Sequence, residues 1–219
     1  MEDIKELYSK RAKRYDLTSK LYYFVGVRVG KFRKEAVRAL RLHRGSRVVD
    51  LACGTGLNFP YLEEAIGPQG QIIGLDMTPS MLAQARRRVE REGWRNVELI
   101  ESDAGHVALD QAVDGVLCTF AISLVPDYSA AIRNLAAPLA VGGRMVLLDV
   151  KSTEGAFSFL NPLAVLLTRP FGGTGNVLAQ KPWLEMQKCL ADVEIMHHYA
   201  GLIYIASGVK LPTPSQREG

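Results

Sequence analysis

The run VVDLACGTG, Val48 to Gly56, joins an apolar strand to a turn that carries two glycines. Val48, Val49 and Leu51 give a strand buried on both sides. Gly54 and Gly56 let the chain bend sharply and approach a ligand with no Cβ in the way. A helix is expected to follow, from about Asn58 to Ala65. In an open α/β sheet, that end of that strand is where ligands bind.

Outward from this turn, short β-branched runs alternate with helical segments, the pattern of a mainly parallel sheet covered by helices. Strands are predicted at Arg47–Ala52, Gln71–Asp76, Val97–Ser102, Val113–Thr119 and Arg144–Val150. A helix opened by Thr78-Pro79-Ser80, with either hydroxyl as its cap, runs to Gly93. Another spans about Tyr128 to Leu139 and is ended by Gly142-Gly143. Lys181–Ala191 reads as helical. Val193–His198 and Leu202–Val209 read as closing strands joined near Ala200-Gly201.

Two acidic residues stand at the following strand ends. Asp76 closes the second strand, where a carboxylate can accept the hydroxyls of a ribose. Asp103 closes the third, within reach of an adenine amino group. The competing reading is a nicotinamide dinucleotide site, whose fingerprint needs a third glycine for close helix packing. Phe59 stands at that position. Asp50, just before the turn, is available to a cationic amino group. Together these favour a nucleoside cofactor with an ammonium and no pyrophosphate.

VVDLACGTG resembles motif I of the class I S-adenosylmethionine-dependent methyltransferases, and GLDMTPSML, Gly74 to Leu82, resembles their second-strand motif. The resemblance covers Arg47 to Val150 well and the rest more loosely. It implies a Rossmann-like α/β fold with a seven-stranded, mainly parallel sheet, helices on both faces, an antiparallel final strand and an N-terminal helical lid. It also implies S-adenosylmethionine as cofactor, held by Asp50, Ala52, Gly54, Gly56, Asp76, Met77, Asp103, Ala104 and Thr119. Tyr8 and Tyr15, in YSKRAKRYD, resemble the lid segment of quinone and phospholipid methyltransferases and are expected to touch cofactor or substrate. One domain is expected over 1–211, with the lid in 1–44, a substrate-lid insertion in 151–180 and a disordered tail in 212–219.

The methyl acceptor is less marked. Aligning an acceptor with an already activated methyl group can supply much of the rate, roughly 7–11 kcal/mol in well-aligned systems, so a resident base is optional. His106, His197 and His198 are the candidates for one, against the ordinary role of a structural or surface histidine. The Asn/Asp-Pro-Pro-aromatic sequence of enzymes acting on DNA bases is absent from CTFAISLVPD, Cys118 to Asp127, so no nucleic acid partner is expected. The apolar stretches LYYFVGVRVGKF (Leu21 to Phe32) and FSFLNPLAVLLTRPFGG (Phe157 to Gly173) suit a bulky or lipophilic acceptor, or simply cover the core. A phosphatidylethanolamine-type amine is the favoured acceptor. Carbon or oxygen methylation of a quinone precursor or other small metabolite is the alternative, and a nonenzymatic cofactor-binding regulatory protein is a third reading.

The 219 residues carry a net charge of +4, but residues 1–44 hold 13 Lys/Arg against 5 Asp/Glu. That basic segment could meet an anionic membrane surface, or could be a solvated helix face. Three well-separated cysteines, Cys53, Cys118 and Cys189, argue against a disulfide framework or zinc site and suit a reducing cytoplasm. No signal peptide or membrane-spanning run is read. The expected location is cytoplasmic, with peripheral contact at the inner membrane surface as an option.

Overall fold

The computed structural model describes residues 28–106 and 109–212. Its strands are β1 Arg47–Leu51, β2 Gln71–Asp76, β3 Val97–Glu101, β4 Val113–Thr119, β5 Leu139–Val150, β6 Ala191–His198 and β7 Ile203–Val209. They form one sheet in the order β3-β2-β1-β4-β5-β7-β6. The first five are parallel, and β7 runs antiparallel between β5 and β6. The helices are α1 Val29–Ala39, α2 Phe59–Ile66, α3 Pro79–Glu92, α4 Tyr128–Ala136, α5 Asn161–Thr168, α6 Gly175–Leu178 and α7 Trp183–Cys189.

Strand residues alternate between two cores. Val48, Ile72, Leu117 and Val146 pack beneath α1, α2 and α3, meeting Phe32, Ala36, Leu62 and Leu82. Val49, Ile73, Val116 and Leu147 face α4 and α7, meeting Ile132, Leu135, Trp183 and Met186. Central strands covered on both sides have no solvent face, which is why β1, β2 and β4 are built mainly of apolar residues. The strand order reverses between β1 and β4, and a crevice opens at such a switch point beyond the carboxyl ends of the strands.

Several boundaries differ from expectation. α4 stops at Ala136: Ala137 still holds helical backbone, but Pro138 has no N–H with which to continue the helix hydrogen bonds. The Pro138 carbonyl instead accepts the Val113 N–H, and β5 begins at Leu139. Gly142 and Gly143 therefore lie inside β5 rather than ending the helix. Gly142, at φ +83°, supplies a left-handed kink there. Thr78 occupies the N-cap of α3 and Pro79 its first turn, but neither Thr78 nor Ser80 caps through its hydroxyl. Asp76 reaches across and accepts the Thr78 N–H at 2.8 Å.

Within the segment expected to form a lid, α1 is a layer of the core. Phe32, Ala36, Val37 and Leu40 are buried against the sheet and α2. Tyr8, Tyr15 and the aromatic run Tyr22 to Phe24 lie outside the described residues, as do 213–219 of the expected tail. The 151–180 insertion is built of 3-10 turns with α5 and α6. It exposes Phe157, Phe159, Leu163 and Leu166. Among the described residues, no helix is long and apolar enough to cross a membrane.

Candidate active site

The turn after β1 takes its shape from three left-handed residues, Ala52 at φ +51°, Gly54 at +57° and Gly56 at +76°. Ala52 is the costly one, since a Cβ disfavours that region, and such conformations persist where surrounding structure holds them. Cys53 donates its N–H to Leu75 O, and Gly56 donates to Cys53 O, which locks the turn against β2. A Cβ on Gly54 would meet nothing within 4 Å, so this backbone lies open to the crevice. Gly56 is different. A Cβ there would fall 2.5 Å from the Phe59 ring.

Asp76 braces the turn from the neighbouring strand. Its Oδ2 accepts the Gly54 N–H at 2.9 Å and its Oδ1 the Thr78 N–H. Burial pushes its pKa above the ordinary carboxylate value, and the two N–H donors draw it back. The Thr78 side chain adds a third hydrogen bond, which still leaves the carboxylate a lone pair for a ligand hydroxyl. Asp103 caps its own loop, its Oδ1 accepting the Gly105 N–H at 3.0 Å.

The crevice spans about 760 Å³ of space, with the open solvent at its mouth included. One half is lined by Ala52, Gly54, Asp76, Met77, Asp103 and Ala104, with Thr78 and Met81 beside them. Two carboxylates facing apolar plates and an uncovered glycine fit a nucleoside, with acceptors for ribose hydroxyls and an exocyclic amine. The residues present thus fit S-adenosylmethionine. The other half, Thr119 to Ala121 and Leu124 to Pro126, carries no charged side chain. Its wall is the 3-10 turn Ile122–Leu124, fixed because Asp149 accepts the Ser123 N–H at 3.0 Å.

Seven of the expected contact residues thus line one crevice: Ala52, Gly54, Asp76, Met77, Asp103, Ala104 and Thr119. Gly56 does not; it makes room for Phe59. Asp50 lies fully buried, outside the lining, where Asn58 Nδ2 donates to its Oδ1 at 2.7 Å. Its Oδ2 has no hydrogen-bond partner. Burial pushes Asp50 up to about 7, while the Asn58 bond and the charge of Arg33 oppose the shift. Tyr8, Tyr15 and the side chain of His106 are outside the described residues. His197 and His198 sit on the edge strand β6, away from the crevice lining. His198 stacks on Phe32 with centroids 4.8 Å apart and faces Glu35 at 3.4 Å.

Sequence reasoning missed Met81, although it lies within the quoted second-strand motif. It also missed Phe120, Leu124, Val125 and Pro126, within the quoted fourth-strand end. Phe120 is left-handed at φ +57°, which nothing in a phenylalanine advertises. Among the described residues, no cluster of His, Cys, Asp and Glu could hold a metal ion.

The chain is similar to known methyltransferases in sequence and in fold. Residues 1–182 match the model of the ubiE/COQ5 methyltransferase family. A demethylmenaquinone methyltransferase of Listeria welshimeri is 32% identical over 150 residues, covering 68% of this chain and 62% of that protein. One from Bacillus cereus is 30% identical over 149 residues, with the same coverage of each chain. The match thus spans less than two thirds of these curated relatives' length. An S-adenosylmethionine-dependent methyltransferase from Aquifex aeolicus superposes with a TM-score of 0.63 at 17% identity, over 82% of this chain and 89% of that one. The N-methyltransferase NodS of Bradyrhizobium japonicum gives 0.63 at 15% identity, over 83% and 96%. These two likenesses establish the fold.

Proposed function

The chain belongs to the ubiE/COQ5 methyltransferase family, and from that premise we propose that it methylates a ring carbon of a reduced quinone precursor. S-adenosylmethionine is its cofactor, as in the class I methyltransferases whose fold it shares. When bound, that cofactor supplies a methyl group made electrophilic by a sulfonium. Asp76 is the acceptor for the ribose hydroxyls, Met77 and Met81 flank the purine, and Asp103 with Ala104 meets its polar edge. Gly54 offers bare backbone. The chain's remaining task is to hold the acceptor carbon in line and keep water out.

The observation that carries the choice of acceptor is the uncharged half of the crevice. Thr119, Phe120, Ala121, Leu124, Val125 and Pro126 suit a flat, apolar ring. A phosphatidylethanolamine headgroup would bring a phosphate and an ammonium, and burying those without partners is costly. The relatives' names point the same way, towards the alternative and away from the phospholipid amine. The insertion adds to this. The 155–168 stretch carries no charge, and Gly172, four residues beyond it and past Arg169, lies against Leu124 of the crevice wall. Such a surface suits the hydrocarbon tail of a lipophilic quinone.

Purified protein supplied with methyl-labelled S-adenosylmethionine should label a reduced demethylated naphthoquinone, with the new methyl on carbon. Transfer only to phosphatidylethanolamine vesicles would overturn the acceptor. Transfer to neither, with cofactor bound, would favour a nonenzymatic role.

A further inference from the structure

We propose that Arg33 is a positioning residue for the methyl donor: from α1 it sets Asn58, Thr119 and Phe120 beneath the crevice, so that the donor binds tightly only with this helix docked. The inference rests on assigning the crevice to S-adenosylmethionine.

Arg33 is buried, at 7% exposure, although it is a cation on a surface helix. A buried charge persists where hydrogen bonds and opposite charge compensate it. Here its Nη1 donates to Asn58 Oδ1 at 2.7 Å and to Thr119 Oγ1, and its guanidinium carbon stands 5.2 Å from the Phe120 ring centroid. Asn58 passes the interaction on. Its carbonyl faces Arg33, and its amide donates to Asp50 at 2.7 Å and to Thr119 at 3.0 Å. A cation and a carboxylate are thus joined through one oriented amide, directly behind the glycine turn.

The partners belong to the crevice. Thr119 and Phe120 line it, and Asn58 is the last residue before α2. Phe120 holds a left-handed backbone, fixed by its own N–H to Leu148 O and by the cation over its ring. Attaching the helix does not call for a charge there. Phe32, Ala36, Val37 and Leu40 already bury α1. A guanidinium is suited to the remaining task, because its Nη1 serves both acceptors while the rest of the planar group stands over a ring; an ammonium is a compact point charge that offers no such extended group.

The test uses the full chain with Arg33→Met, Arg33→Lys and, as control, Lys34→Ala, which breaks only an exposed pair with Glu64. The dissociation constant of S-adenosylhomocysteine and the melting temperature are measured together. Arg33→Met should weaken binding roughly tenfold or more, the scale of losing hydrogen bonds to a charged group. Arg33→Lys should fall between it and the wild type at an unchanged melting temperature, and Lys34→Ala should match the wild type. In turnover, KM for the donor should rise while kcat at saturation holds. A folded Arg33→Met with wild-type affinity overturns the proposal. If that variant fails to fold, Arg33→Lys decides, and wild-type affinity in it overturns the proposal equally. Failure of the wild type itself to bind S-adenosylhomocysteine would remove the cofactor assignment, and the role of Arg33 with it.

Discussion

The ring of Phe59 fills the space beside Gly56, 2.5 Å from where a Cβ on that glycine would lie. The same ring tip would stand 2.9 Å from a Cβ on Gly74 of β2. Two glycines in different elements therefore accommodate one phenyl group, where a dinucleotide site would place a third glycine for close helix packing. Phe59→Ala should cost about 3–5 kcal/mol of stability, the range for emptying a buried aromatic site. Urea denaturation measures it. A loss below about 1 kcal/mol would mean that the ring is not a structural wedge.

Two buried carboxyl groups should make the cofactor-free protein less stable as pH rises. Burial carries Asp50 up to about 7 and Asp149 up to about 6, against about 3.9 for an unfolded aspartate. Between those values the folded chain holds protons that the unfolded chain has released. Stability is then greatest at the acid end of the window and is lost as pH rises through the folded pKa values. Asp50→Asn should flatten the fall in melting temperature between about pH 5 and 7. Parallel curves for the variant and the wild type would contradict this.

His197 and His198 should be dispensable for chemistry. Both lie on edge strand β6, and the crevice is at the ends of β1, β2 and β4. Steady-state kinetics of His197→Ala and His198→Ala should return a wild-type kcat. His198→Ala should lower the melting temperature slightly, since it removes a ring from Phe32. A large loss of kcat in either folded variant would place a base where this structure has none.

The legible part of the fold was the part specified by local pattern. β2 and β4 have the expected bounds, because strands buried on both faces are mainly apolar. Asp76 and Asp103 could be found because the sheet puts successive strand ends side by side. The Arg33 network could not. Its members lie 25 and 86 residues apart and meet only when α1 docks. Nor could the start of β5, where Pro138 rather than the two glycines ends the helix. The crevice wall was hidden for a similar reason: a buried carboxylate from β5 holds the Ser123 backbone in place.

The most direct measurement is calorimetric titration of S-adenosylhomocysteine and NAD into the wild type and Asp76→Ala. The wild type should bind the homocysteine nucleoside and not NAD. Asp76→Ala should weaken that binding by about 1–3 kcal/mol, the cost of losing hydrogen bonds to a charged acceptor. A melting curve checks that the variant stays folded once the Gly54 and Thr78 N–H groups lose their acceptor. Unchanged affinity in folded Asp76→Ala, or NAD binding as tight as the nucleoside, would contradict the cofactor site described for the crevice.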